Sequence, residues 1–216
     1  MPSGANPHLP SADAIAAWPR FTPESPMRVL VSGCVAGLPC GVDGSSYGEY
    51  PDARRLLSQP NVRAIPFCPE ESEFGTPREM CNVHGGTGDG VLDGRARVLT
   101  ESGVDWTEGM IRAAHRMLAI AREQRVHLAM LMDISAACGS QVIYDGPRHL
   151  ARYQIGAGVC AALLRRNGFT VISQRDYRAL DRILAHLDPA HVPTANAIDH
   201  HETEWYRSYF GTNGER

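Results

Sequence analysis

No run of apolar residues in the chain approaches the roughly 18 that a membrane-spanning helix needs. The opening stretch MPSGANPHLPSADAIAAWPRFTPESPM carries neither the charged leader nor the apolar segment of a secretory signal. These two absences set the expectation of a cytoplasmic protein. A cation excess is missing as well: 21 Lys and Arg stand against 24 Asp and Glu, with a formal net charge of −3. Phosphate contacts dominate nucleic-acid binding and leave a basic stripe, so nucleic acid is not the expected partner. Arg112, Arg116, Arg122 and Arg125 share one predicted helix and read as its solvated face. There is no CxxC pair anywhere, although the chain has six cysteines. Cysteines in the cytoplasm stay reduced, so these are expected as core residues, ligands or nucleophiles rather than a disulfide framework. A chain of 216 residues, 43% of them apolar, buries a core without covalent or metal staples. Any metal is then functional before it is structural.

Strand and helix patterns alternate through most of the chain. Residues 1–27 hold six prolines and read as an irregular arm with one helical turn near ADAIAAW. The β-branched run at 28–33 predicts a buried strand, YPDARRLLSQ a short helix, and VRAIPF a second strand ending at Cys68. Residues 74–103 are Gly-rich and read as a long loop with one strand near ARVLT. Helical spacing of Met110, Ile111, Ala114, Met117, Leu118 and Ala121 predicts a helix over 105–124, with Asp105 and Glu108 as a capping box. VHLAMLMD has the continuous apolar character of a central parallel strand. QVIYDG reads as a short strand, IGAGVCAALLRRNG as a helix, FTVIS as a strand and RDYRALDRILAHL as a closing helix. The expectation is a single three-layer α/β domain over residues 28–187, Rossmann-like, with a mostly parallel sheet. Residues 188–216 form a polar, aromatic-rich C-terminal extension.

Cys34, Cys68 and Cys138 share a context: each follows a predicted core strand by a few residues. Carboxyl ends of parallel strands lie along one edge, where ligands bind, so cysteines distant in sequence can meet there. Gly33, Gly37 and Gly139 beside them permit close backbone approach. Three thiolates suit a zinc with an open position, or a [4Fe–4S] cluster with one iron free of protein ligands. The same residues also fit three buried thiols without a metal. Cys40 reads as a fourth ligand, a resolving thiol or a turn residue. Cys81 lies in the predicted loop, within reach of the site, and Cys160 lies on a predicted helix as a core residue. His200 and His201 read as ordinary surface residues.

The motifs VSGCVAGLPCGVDG, FCPE, ISAACGSQVIYDG and IGAGVCAALLRRNGFTVIS resemble, in that order, those of the small bacterial thiouracil desulfidase family. The likeness runs from about residue 28 to 175. It implies a [4Fe–4S] cluster held by Cys34, Cys68 and Cys138, oxygen sensitivity and a place in sulfur metabolism. It also implies a small thiolated substrate whose sulfur binds the iron without a protein ligand and is replaced by oxygen from water. A soft thione sulfur suits such an iron, and the attacking water needs a general base. Glu70 and Asp133 are the candidate bases, with Ser135 beside them. Ser140 and Asp43 are candidate substrate contacts, and Tyr144 a weaker one. Alternatives are a cluster-dependent dehydratase or lyase, and an iron–sulfur or zinc sensor without turnover. The chain departs from the family pattern at Gly41 and Val42, where an arginine and a tyrosine are common. It departs again at Met132, Asp133 and Ala136, where a lysine and a glutamate precede serine-proline. These departures predict a pocket short of cations and a different or less anionic substrate.

Overall fold

The computed structural model describes residues 6–46 and 50–211. The first five residues of the arm and the last five of the tail lie outside them. In chain order the elements are α1 (Ala12–Ala16), β1 (Met27–Ser32), α2 (Pro51–Leu57), β2 (Val62–Phe67), α3 (Pro69–Phe74), β3 (Cys81–His84), α4 (Gly88–Leu92) and β4 (Arg97–Thr100). They continue as α5 (Thr107–Glu123), β5 (Leu128–Leu131), β6 (Val142–Tyr144), β7 (Tyr153–Ile155), α6 (Val159–Arg166), β8 (Val171–Ser173), α7 (Tyr177–Leu187) and α8 (Glu204–Phe210). β2, β1, β5 and β8 form one parallel sheet in that order.

The sheet has a core on each face because side chains alternate along a strand. Val29 and Val31 of β1, with Leu128 and Met130 of β5, point to the layer of α1, α2 and α7. Leu30, Ala129 and Leu131 point the other way, toward α5 and α6. The three-layer α/β expectation holds. The arm packs into the first layer through Ile15 and Phe21, and Ser11 caps α1 by accepting from the Ala14 amide at 3.1 Å.

Two local readings are corrected. Residues 74–103 are an ordered subdomain: β3 and β4 pair antiparallel around α4. Two of their glycines serve packing: a Cβ on Gly88 would strike the backbone of Gly158, and one on Gly90 would come within 3.2 Å of the Ala96 Cβ. The start of α5 has no capping box, because Trp106 takes the N-cap position. Asp105 instead accepts from the Thr107 amide at 2.9 Å, and the Trp106 ring stacks on Phe74 at 4.0 Å.

The chain leaves β1 outward to β2, then returns to place β5 on β1's other side. The loops after β1 and β5 therefore diverge to opposite layers. The crevice between such loops is where open α/β sheets take their ligands.

Candidate functional site

A cavity of about 320 Å³ opens at this crevice. Cys34 follows β1, Cys68 follows β2, and Cys138 lies in the loop after β5; all three line the cavity. Ser32, the last residue of β1, ties the two loops together by accepting from the Met132 amide at 2.9 Å. The site falls into two walls.

The first wall is built from residues near in sequence or on adjacent loops. Gly33 lets the β1 loop fold under itself: a Cβ there would lie 2.9 Å from the Cys40 Sγ and 3.4 Å from the Cys68 Cβ. Cys68 is the N-cap of α3, its Sγ accepting from the Glu71 amide at 3.4 Å. Arg78 is the keystone. Its guanidinium donates to the Cys40 carbonyl at 3.1 Å, to the Gly75 carbonyl at 3.1 Å and to Glu70 Oε2 at 3.1 Å. Its side chain is only 4% exposed and that of Glu70 15%, so this ion pair is shielded from water.

The second wall comes from the β5 loop and the β6–β7 hairpin. Ser135 Oγ accepts from the Cys138 amide at 3.1 Å and donates to Glu70 Oε1 at 3.4 Å, joining the walls. Gly139 and Gly158 are required by closeness: a Cβ would come within 2.7 Å of the Ser135 carbonyl at the first and 2.6 Å at the second. Tyr144, Arg148 and Arg175 complete the lining. The Arg148 guanidinium sits 4.6 Å above the Tyr144 ring. Arg148 and Arg175 each keep a buried Nε without a partner.

The thiols are tuned by burial. Burial pushes Cys68 up to about 12, against the pull of the Glu71 amide. Cys138 rises well above the ordinary thiol range for the same reason, with the Ser32 hydroxyl pulling the other way. Cys40 is raised first by its hydrogen bond with Cys34, then by burial. Ionising buried thiols needs a cation beside them. Among the described residues no group of three or more His, Cys, Asp or Glu is arranged around a single metal ion. Three cysteine thiols on separate loops around one cavity are a donor set of the kind that holds an iron–sulfur cluster.

Several sequence expectations change here. Asp133 is buried with both carboxylate oxygens engaged. Oδ1 accepts from the amides of Ile134, Ser140, Gln141 and Val142 at 2.9–3.3 Å, and Oδ2 meets His200 Nδ1 at 2.6 Å. It organises the loop rather than standing ready for a proton. His200, read as a surface residue, is 1% exposed, because Asp133 needs a buried donor. Ser140 lies behind the cavity, and Asp43 is exposed and caps its own turn through the Ser45 amide at 2.9 Å. Cys81 is a core residue of β3. The cavity is not short of cations: Arg78, Arg148 and Arg175 line it together with the half-buried Glu70 carboxylate. These arginines lie on other loops, far in sequence from the cysteine motifs. The one hint was that every cation of the chain is arginine, with no lysine at all.

Comparisons with known proteins agree with this construction. The 2-thiouracil desulfurase family profile matches residues 29–176. The uncharacterized protein YbbK of Bacillus subtilis (strain 168) is 38% identical over 149 residues, covering 68% of this chain and 96% of YbbK. A solved structure described as the [4Fe-4S]-dependent thiouracil desulfidase TudS superposes with a TM-score of 0.60 at 33% identity, covering 74% of this chain and 98% of that one. The chain therefore belongs to the 2-thiouracil desulfurase family.

Proposed function

We propose that the protein is a [4Fe–4S]-dependent desulfidase that exchanges the sulfur of a small thiolated heterocycle, such as thiouracil, for oxygen from water. The observation that carries this reading is the meeting of Cys34, Cys68 and Cys138, each following a different parallel strand, in one cavity with Glu70. The all-thiol donor set lining the cavity fits the cluster. When bound, it supplies a Lewis-acidic iron without a protein ligand, matched to a soft thione sulfur.

The chain's own residues account for the rest. Arg78 grips Glu70 Oε2 and fixes the carboxylate at the cavity wall. Oε1, which accepts only from the Ser135 hydroxyl among the described residues, is the oxygen that takes a proton from the attacking water. Water adds to the ring carbon, the carbon–sulfur bond breaks, and the sulfur departs as hydrosulfide. No electron is gained or lost, and the net change is hydrolysis. Arg148 and Arg175 line the cavity and bring positive charge to a ring carbonyl or ring anion. Asp133 serves as a loop organiser, not as the base.

Anaerobic turnover of thiouracil in ¹⁸O-water tests the reading. It predicts uracil and sulfide in equal amounts, with the label in the new carbonyl. A cluster-loaded protein that releases no sulfide from thiouracil or a related thio-heterocycle would defeat it.

A further inference from the structure

The loop that carries Ser135 and Cys138 begins with a strained residue. Ile134 is β-branched yet sits at φ 58, a left-handed conformation that such a residue keeps only when its surroundings dictate it. What dictates it is Asp133, whose Oδ1 gathers four amides between Ile134 and Val142. A carboxylate removed from water is costly to keep charged unless it is paired. Its partner is His200, in the segment after residue 176, where the family match ends.

That segment is built to hold His200 in place. Asp199 and Glu202 form a reciprocal capping box around the turn His200–Glu202. Asp176 accepts from the His200 amide at 3.2 Å. The Trp205 ring stacks on the imidazole at 5.5 Å, nearly parallel. The same helix reaches the other half of the second wall. Tyr209 accepts from the Tyr153 amide at 2.9 Å through its hydroxyl, and Trp205 packs edge-on against the Tyr153 ring. Tyr153 in turn lies 4.8 Å from Tyr144, the ring beneath Arg148.

We infer that the segment Asp199–Phe210 is a built-in brace for the second wall of the cavity, with His200 as a positioning residue for the Cys138 loop. That this loop holds a cluster ligand rests on the function proposed above; the brace itself does not. His200 never faces the cavity. It acts through Asp133, keeping the strained turn closed so that Cys138 and Ser135 are presented together.

Hydrogen exchange on the full chain, without and with anaerobically reconstituted cluster, tests the inference. In His200→Ala the amides of Ser140, Gln141 and Val142 should exchange about 10-fold faster, and the loaded protein should lose iron to a chelator about 10-fold faster, as is usual when outer-shell partners are removed. His191→Ala is the control, because His191 pairs with Asp181 at 2.6 Å in the same extension but touches nothing in the loop. It should lower Tm while leaving those amides unchanged. His200→Asn, whose amide N–H stands near the position of Nδ1, should restore protection, whereas His200→Gln, which mimics Nε2, should not. This pair carries the test if His200→Ala does not fold. Equal exchange in His200→Ala and His191→Ala, or equal protection by Asn and Gln, overturns the brace. A chain that takes up no iron but shows the predicted exchange pattern overturns the functional reading and leaves the brace standing.

Discussion

The two walls of the cavity are made by different means. The first, around Cys34, Cys40 and Cys68, is held by one arginine whose donors reach backbone carbonyls on both neighbouring loops. Everything it needs lies between residues 33 and 78, inside the stretch shared with the family. The second, around Cys138, is held from behind by residues beyond that stretch. The first wall is thus a self-contained chemical unit, and the second is a loop whose geometry depends on packing contributed later in the chain. On the proposed function, the shared stretch carries the reacting groups, while the extension holds the Cys138 loop from behind.

Removing a cysteine from either wall should erase the distinction. Cys34→Ser, Cys68→Ser and Cys138→Ser should each abolish sulfide release and cluster absorbance, because each deletes one thiolate ligand. Retention of turnover in any one of them would take that residue out of the ligand set. Glu70→Gln strikes the first wall at its contact with Ser135 of the second. It should lower kcat about 10²- to 10⁴-fold, the range of a lost general base, with iron content unchanged. Arg78→Lys keeps the charge but not the fork of bonds to Glu70 and the carbonyls. A fall in kcat of about 10- to 100-fold is expected from loss of such outer-shell support, and steady-state kinetics with iron analysis would separate it from ligand loss.

The second wall has its own pH signature. Burial, helped by the nearby Asp133 charge, pushes Asp176 up to about 7 from its usual 3.8. An acid whose folded value is raised contributes stability at low pH and loses it as pH climbs between those two values. The full shift is worth at most about 4 kcal/mol at 1.36 kcal/mol per unit. Asp133 works in the opposite direction, its carboxyl lowered by His200 and the loop amides despite its burial, and that contribution is lost only on acidification below the ordinary Asp range. Thermal melts from pH 4 to pH 7 should therefore show declining stability that Asp176→Asn flattens. The smallest effect is expected from Cys40→Ser. That thiol packs against Cys34 and Cys68 in the first wall, and its removal should leave iron in place and change turnover by less than about 3-fold, the scatter of a single peripheral contact.

Legibility cut across the two walls. The strands that precede Cys34, Cys68 and Cys138 were readable from their short apolar runs, and their parallel order follows from alternation with helices. Glu70 was readable because it lies two residues from Cys68, a proposed ligand. Arg78, Arg148 and Arg175 were not, since nothing local distinguishes a cavity arginine from a solvated one. Asp133 invited misreading: a carboxylate at a strand end near the site can be a base or a buried organiser, and only its partner decides. That partner, His200, is 67 residues away, and its neighbour His201 made the pair resemble an exposed polar turn. The glycines of 74–103 looked like loop residues because close helix packing and loop flexibility leave the same mark in a sequence.

Iron and acid-labile sulfide, counted on anaerobically purified wild-type protein, test the central claim most directly. The account predicts about four of each per chain, the content of one cubane cluster, all lost in Cys138→Ser. Zinc in stoichiometric amount, or full iron retained without Cys138, would contradict it.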